Sequence, residues 1–214
     1  MSNIAFFFSF VDSDFHLAER LVGQLKNFYP TSLIMAIGDG ASTSKHPGSA
    51  CACWYRENLK RPDTIGEFTQ QNFQFILDML QSDPTIDSVV KLDPDSFLKR
   101  KFNYLPDEQW CGELNQGDFT WGYSTWCKGG GFLIKKIAIE KIVESQLLLD
   151  DRYREIQSLE EEQNRVYEDC RLGHVANSLG IFPTKWAEVS CGRLSKLDKR
   201  CRKKALVHPV KHIN

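Results

Sequence analysis

No window of this 214-residue chain approaches the ~18 uninterrupted apolar residues that a membrane-spanning helix needs. There is no CxxC pair either. The seven cysteines are an odd number, and the "CAC" at 51–53 is spaced too tightly for a zinc knuckle. Reduced, buried thiols in a cytoplasmic protein are therefore expected. Charge of one sign is also missing: 27 Lys and Arg stand against 28 Asp and Glu, so nothing in the balance draws the chain to nucleic acid. Repeats and low-complexity tracts are absent. The opening "MSNIAFFFSFVDSD" lacks a basic start, and Asp12 and Asp14 follow its short apolar core at once, which predicts a buried strand rather than a secretory leader.

What is present reads as alternating strands and helices. "IAFFFSF" (4–10) is a continuous apolar run, the pattern of a strand covered on both faces. Asp12 or Ser13 is placed to cap a helix over "DFHLAERLVGQLKNFY", with Phe15, Leu17, Ala18, Leu21, Val22 and Leu25 at helical spacing. "SLIMAI" (32–37) follows as a second strand, closed by the turn "GDG". Residues 40–64 read as a long loop, and "IGEFTQQNFQFILDMLQSD" as a helix with Phe68, Phe73, Ile76, Leu77 and Leu80 inward. "DSVVKL" is a third strand, "WCKGGGFLI" (126–134) a glycine-interrupted one, and "KKIAIEKIVESQLLL" its helix. A last helix, "VYEDCRLGHVANSLG", is capped by Gly180. The expected fold class is three-layer α/β with a mostly parallel sheet in one domain of ordinary size.

The stretch "VVKLDPDSFL" carries the chemistry. On a strand, residues two apart share a face, so Asp93 and Asp95 would point the same way, stiffened by Pro94. Two carboxylates that close repel unless a cation lies between them. At a strand end, such hard oxygen ligands suit Mg²⁺ or Mn²⁺ bridging to phosphates. The plain alternative is a "DPDS" turn. A calcium loop is not expected, because "DPDSFLKRKFNY" has neither glycine at its sixth position nor glutamate at its twelfth. Haloacid-dehalogenase phosphatases also end a strand in DxD and would make Asp93 a nucleophile. That pattern wants Thr or Val where this chain has Phe97, and it normally uses the first strand.

Three segments in order resemble the fringe and β1,3-galactosyl- or N-acetylglucosaminyltransferase group of GT-A enzymes. They are "KLDPDSFL", "WCKGGGFLIKKIAIEKI" and "YEDCRLGHVANSLGI". Pro94 replaces the group's middle aspartate. The resemblance implies a single GT-A domain: a nucleotide-binding half over 1–95, an acceptor half over 96–195 and a basic tail over 196–214. It implies a UDP-sugar donor, a saccharide or other hydroxyl acceptor, and Mn²⁺ (or Mg²⁺) held by Asp93 and Asp95, with Asp93 also reaching the nucleotide. His208 is the expected third ligand, with His212 as rival. Asp169 matches the group's general base, with Glu168 the alternative, in an inverting transfer.

Gly130 and Gly131 would lie beneath the donor, with Trp121, Tyr123 and Trp126 nearby as faces for sugar rings. Nucleotide contacts are expected from Ser9, Phe10 and Val11 after the first strand and from Asp39 after the second. The run Lys199, Arg200, Arg202, Lys203 and Lys204 would close over the diphosphate or remain solvated surface. Without the resemblance, a carbohydrate- or nucleotide-binding module lacking turnover fits the same residues.

Overall fold

The computed structural model describes residues 3–57, 64–119, 122–150, 168–191 and 204–208. Ten strands and four α-helices lie among these residues. In chain order the strands are β1 (Asn3–Phe10), β2 (Ile34–Asp39), β3 (Ala52–Arg56), β4 (Ile86–Leu92), β5 (Phe97–Leu98), β6 (Trp110–Phe119), β7 (Gly122–Lys135), β8 (Thr184–Lys185), β9 (Val189–Cys191) and β10 (Leu206–His208). The helices are α1 (Phe15–Phe28), α2 (Ile65–Leu80), α3 (Lys136–Ser145) and α4 (Glu168–Ser178). None of them is long and apolar enough to cross a membrane.

A seven-stranded mixed sheet, ordered β3-β2-β1-β4-β7-β6-β8, forms the centre. β3, β2, β1 and β4 run parallel; β7 is antiparallel to β4 and to β6. Along β1 the side chains alternate between two cores. Phe6, Phe8 and Phe10 pack with Ala18, Leu21, Val22 and Leu25 of α1 on one face. Ala5 and Phe7 pack on the other with residues of α2, α3 and α4. Burial on both faces is why the strand reads as an unbroken apolar run. A second sheet, β5-β10-β9, covers the α1 face through Leu98, Val189, Cys191 and Leu206.

Several boundaries differ from expectation, each for a local reason. The expected loop 40–64 contains β3, a half-buried edge strand paired with β2. Asp39 is the last residue of β2 rather than part of a turn. Neither Asp12 nor Ser13 caps α1. A 3-10 turn over Asp12–Asp14 precedes that helix, and the Asp12 carboxylate accepts the Ser42 amide at 2.9 Å. The helix read over 135–149 stops at Ser145, because Gln146 turns left-handed (φ 57°) into a short 3-10 turn.

Gly180 does cap α4: its φ is +74°, Ile181 N donates to Ala176 O at 2.8 Å, and Gly180 N to Asn177 O at 3.0 Å. Trp126 is core, 5% exposed. Trp121, His212, the run 199–203 and the side chain of Tyr123 lie outside the described residues.

Gly173 sets how closely α4 sits on β7. A Cβ there would meet Trp126 Cβ at 2.5 Å and Thr125 O at 3.0 Å. Gly173→Ala must push the helix off the strand, an overpacking that costs about 1–3 kcal/mol. The urea midpoint is expected to fall accordingly. An unchanged midpoint would show that α4 floats freely on the sheet.

Candidate functional site

Asp93 follows directly on β4, at the edge where β1, β2 and β4 end. Asp93 and Asp95 do not share a strand face as expected. They belong to a turn in which Ser96 N donates to Asp93 O at 2.9 Å and Asp93 N to Ser96 Oγ at 3.2 Å. Ser96 Oγ in turn donates to Gly130 O at 2.8 Å, which ties the turn to β7. The carboxylates nevertheless converge, because β10 delivers His208 between them. His208 Nε2 lies 2.7 Å from Asp95 Oδ1 and 3.2 Å from Asp93 Oδ2.

The position of His208 depends on Gly130. A Cβ on Gly130 would fall into the imidazole ring, and one on Gly131 into Leu206 of the same strand. These glycines are needed because the second sheet crosses the first at this point. The approach comes from the protein itself, so Gly130 and Gly131 are lined by β10 rather than standing open beneath a donor. Burial works to lower the His208 pKa, but its hydrogen bonds with Asp93 and Asp95 outweigh that and raise it to about 9. An imidazolium therefore holds two carboxylates together near neutral pH.

The three side chains each offer one ligand atom, all within 4.8 Å of one another. Two carboxylate oxygens and an imidazole nitrogen are a donor set that fits Mn²⁺ or Mg²⁺. A cation held there takes the place of the histidine proton.

Next to this triad is a buried ammonium. Lys91 Nζ reaches Asp93 Oδ1 at 2.7 Å and Gly129 O at 2.8 Å, with Glu168 Oε2 at 3.8 Å. Burial disfavours its charge, but Asp93, Glu168 and Asp169 together keep the Lys91 pKa above the ordinary lysine value. Glu168 and Asp169 open α4, where carboxylates also suit the helix dipole. Asp169 Oδ2 accepts the Gly129 amide at 3.0 Å. Burial pushes its pKa up to about 6, against the Gly129 hydrogen bond and the Lys91 charge; the charges of Glu168 and Asp93 add to the rise.

Other expected residues lie differently. Ser9 and Val11 are partly exposed at the end of β1, but the Phe10 ring is buried among Phe8, Phe15 and Tyr55, so only its backbone borders the edge. Asp39 is 1% exposed and paired with Arg56, whose Nε lies 2.7 Å away. Arg56 also donates to Asn72 Oδ1 at 2.9 Å and lies over Phe68. The Asp39 carboxylate thus ties β2 to β3 and α2. Among the basic run, Lys204 donates to Ala187 O.

Lys91 and Ser96 were not singled out from sequence. A lysine inside the otherwise apolar "SVVKL" was the available signal for the first. Nothing marks Ser96 as different from any turn serine. Arg20 of α1 also reaches this turn, donating to Ser96 O at 3.4 Å.

Lys91→Met would leave Asp93, Glu168 and Asp169 without their shared cation. The expected loss is about 3–5 kcal/mol at neutral pH, the range for breaking a buried ion pair. The variant's stranded carboxylates protonate more readily than in the unfolded chain, so its deficit shrinks as pH falls. Urea denaturation at neutral and acidic pH measures both effects. A loss independent of pH would mean that Lys91 acts through packing alone.

Comparison of the sequence with models of protein families and with curated proteins gives no match, so the reading of this edge rests on its own residues and on the three resembling segments.

Proposed function

We propose that the chain is a compact GT-A glycosyltransferase. It moves a hexose or N-acetylhexosamine from a UDP-sugar to an acceptor hydroxyl, with inversion. The observation that carries this reading is the convergence, along one stretch of β7, of Asp93, Asp95 and His208 at Gly130 with Asp169 at Gly129. Support comes also from the sheet: parallel strands up to β4, then β7 antiparallel to both its neighbours β4 and β6, and a second small sheet bearing the histidine. A three-layer domain follows, with residues 1–95 as its nucleotide half and 96–195 as its acceptor half. The six cysteines among the described residues, five of them buried, fit a reducing cytoplasm.

Asp93, Asp95 and His208 would hold Mn²⁺, which the imidazole favours over Mg²⁺. When bound, the ion supplies Lewis-acid stabilisation of the departing diphosphate. The remaining work falls to side chains. Asp169 takes the proton from the attacking acceptor hydroxyl, and its raised pKa matches that role. Gly129 N–H fixes one of its oxygens and thereby the direction from which the hydroxyl must approach. Lys91 anchors Asp93 and offsets the charge of Glu168 and Asp169, so that an anionic substrate meets a partly neutralised edge.

The dehalogenase reading loses ground on position: Asp93 follows the fourth strand of the chain, and Phe97 stands where that pattern wants Thr or Val.

Calorimetry should find UDP bound in the presence of Mn²⁺, with binding lost in Asp95→Ala. Asp169→Asn should keep UDP binding and lose transfer by about 10²–10⁴-fold, the usual contribution of a general base. Behaviour the other way round would overturn the roles.

Asp169 must be ionised to accept a proton, so kcat/KM should fall below about pH 6, in line with its raised pKa. Its stability effect has the opposite sense. With a folded-state pKa above the unfolded value, its ionisation lowers stability as pH rises toward about 6 and adds nothing further above that. Asp169→Asn should therefore match the parent's melting temperature in acid and exceed it above pH 6. A variant less stable at every pH would contradict the assigned burial cost.

A further inference from the structure

Beyond Asp169, on the same strand and helix, is a cleft of about 390 Å³ walled by Ser124, Thr125, His174, Asn177, Ser178 and Phe182. β7 orders the whole edge. Gly130 packs on His208, Gly129 holds Asp169, and Thr125 holds Asn177 at 3.0 Å, further out on the hairpin with β6. Asn177 lies eight residues after Asp169 on α4, about 12 Å along the helix axis.

The walls are rigid. Asn177 Oδ1 accepts from Thr125 N, and its Nδ2 donates to Thr125 O at 3.1 Å and Ile181 O at 3.4 Å. Ser124 Oγ and His174 Nδ1 are 2.9 Å apart. The Phe182 ring, in contrast, is 63% exposed.

Among the described residues the lining carries no Asp, Glu, Lys or Arg. The one titratable group among those described residues is His174, whose pKa burial lowers, so the imidazole is neutral at pH 7. These side chains offer a phosphate, a carboxylate or a basic peptide no counter-charge. Around one open aromatic face, the Thr125 and Ser178 hydroxyls donate to Asn177 Oδ1 and Val175 O and keep lone pairs to accept from a neutral polyol, whose apolar ring face would lie on Phe182.

We propose that this cleft binds a neutral sugar unit of the acceptor, set back from the hydroxyl that Asp169 deprotonates. The acceptor is then an oligosaccharide rather than a monosaccharide, a lipid or a protein side chain. This rests on the glycosyltransferase reading for its meaning, but the binding event itself requires neither nucleotide nor metal.

The test is saturation-transfer NMR of the full chain with lactose, N,N′-diacetylchitobiose and maltotriose, without UDP or Mn²⁺. The expected result is that at least one of them binds, with the His174 and Phe182 ring resonances shifting. Phe182→Ala should weaken it about tenfold or more while leaving the circular dichroism unchanged, since the ring is already exposed. Asp169→Asn should bind as the parent does. No binding by any of the three sugars, or equal binding by Phe182→Ala, overturns the proposal. Sugar binding without Mn²⁺-dependent UDP binding would keep the cleft and discard the transferase. The reverse would discard the cleft alone.

Discussion

The ammonium of Lys91 holds the functional edge together. It is buried at the end of β4 and touches Asp93 and the carbonyl of Gly129, with Glu168 and Asp169 close by. A buried lysine is costly unless its charge is answered, and here the answer comes from two separate parts of the chain. One is the turn after its own strand, the other the start of α4. Each carboxylate needs the lysine as much as the lysine needs them. The edge is thus a single charge-balanced unit, and moving any member changes the protonation of the rest.

A second balance sits on the other side of Asp93. His208 bridges Asp93 and Asp95 as an imidazolium, which allows two carboxylates to approach without a metal. That bridge is possible only because Gly130 has no side chain, so that β10 can lie across β7. Backbone and charge are coupled here: a methyl group on one strand would displace an imidazole carried by another. The same economy recurs at Gly173, where a missing side chain lets α4 bring Asp169 down to Gly129. The two balances leave one proton that a divalent cation bound there would have to displace and one carboxylate whose pKa is raised to about 6.

Much of this was legible in the residues, and what was missed has physical reasons. β1, α1, β2, α2 and β4 announce themselves because each buries enough apolar surface to impose a period on its own sequence. β5, β8, β9 and β10 are two or three residues long, so no period can show, and they exist only through partners distant in the chain. β6, "WCGELNQGDF", is too polar to read as a strand and is held by its long hairpin with β7.

Asp93, Asp95 and His208 lie together in space, though the aspartates meet through a turn and not through the expected strand alternation. The glycines were seen as a close approach, but the approaching group is His208 and Leu206. Asp39 looked available because its partner, Arg56, lies on a strand hidden inside an apparent loop.

The central claim is that Asp93, Asp95 and His208 hold a divalent ion that carries a nucleotide's phosphates. Pulsed electron paramagnetic resonance of the protein with Mn²⁺ and UDP examines it directly. The account predicts nitrogen modulation from the His208 imidazole, lost in His208→Gln, together with phosphorus coupling from the diphosphate. A spectrum of hydrated Mn²⁺, with neither nitrogen modulation nor phosphorus coupling, would contradict it.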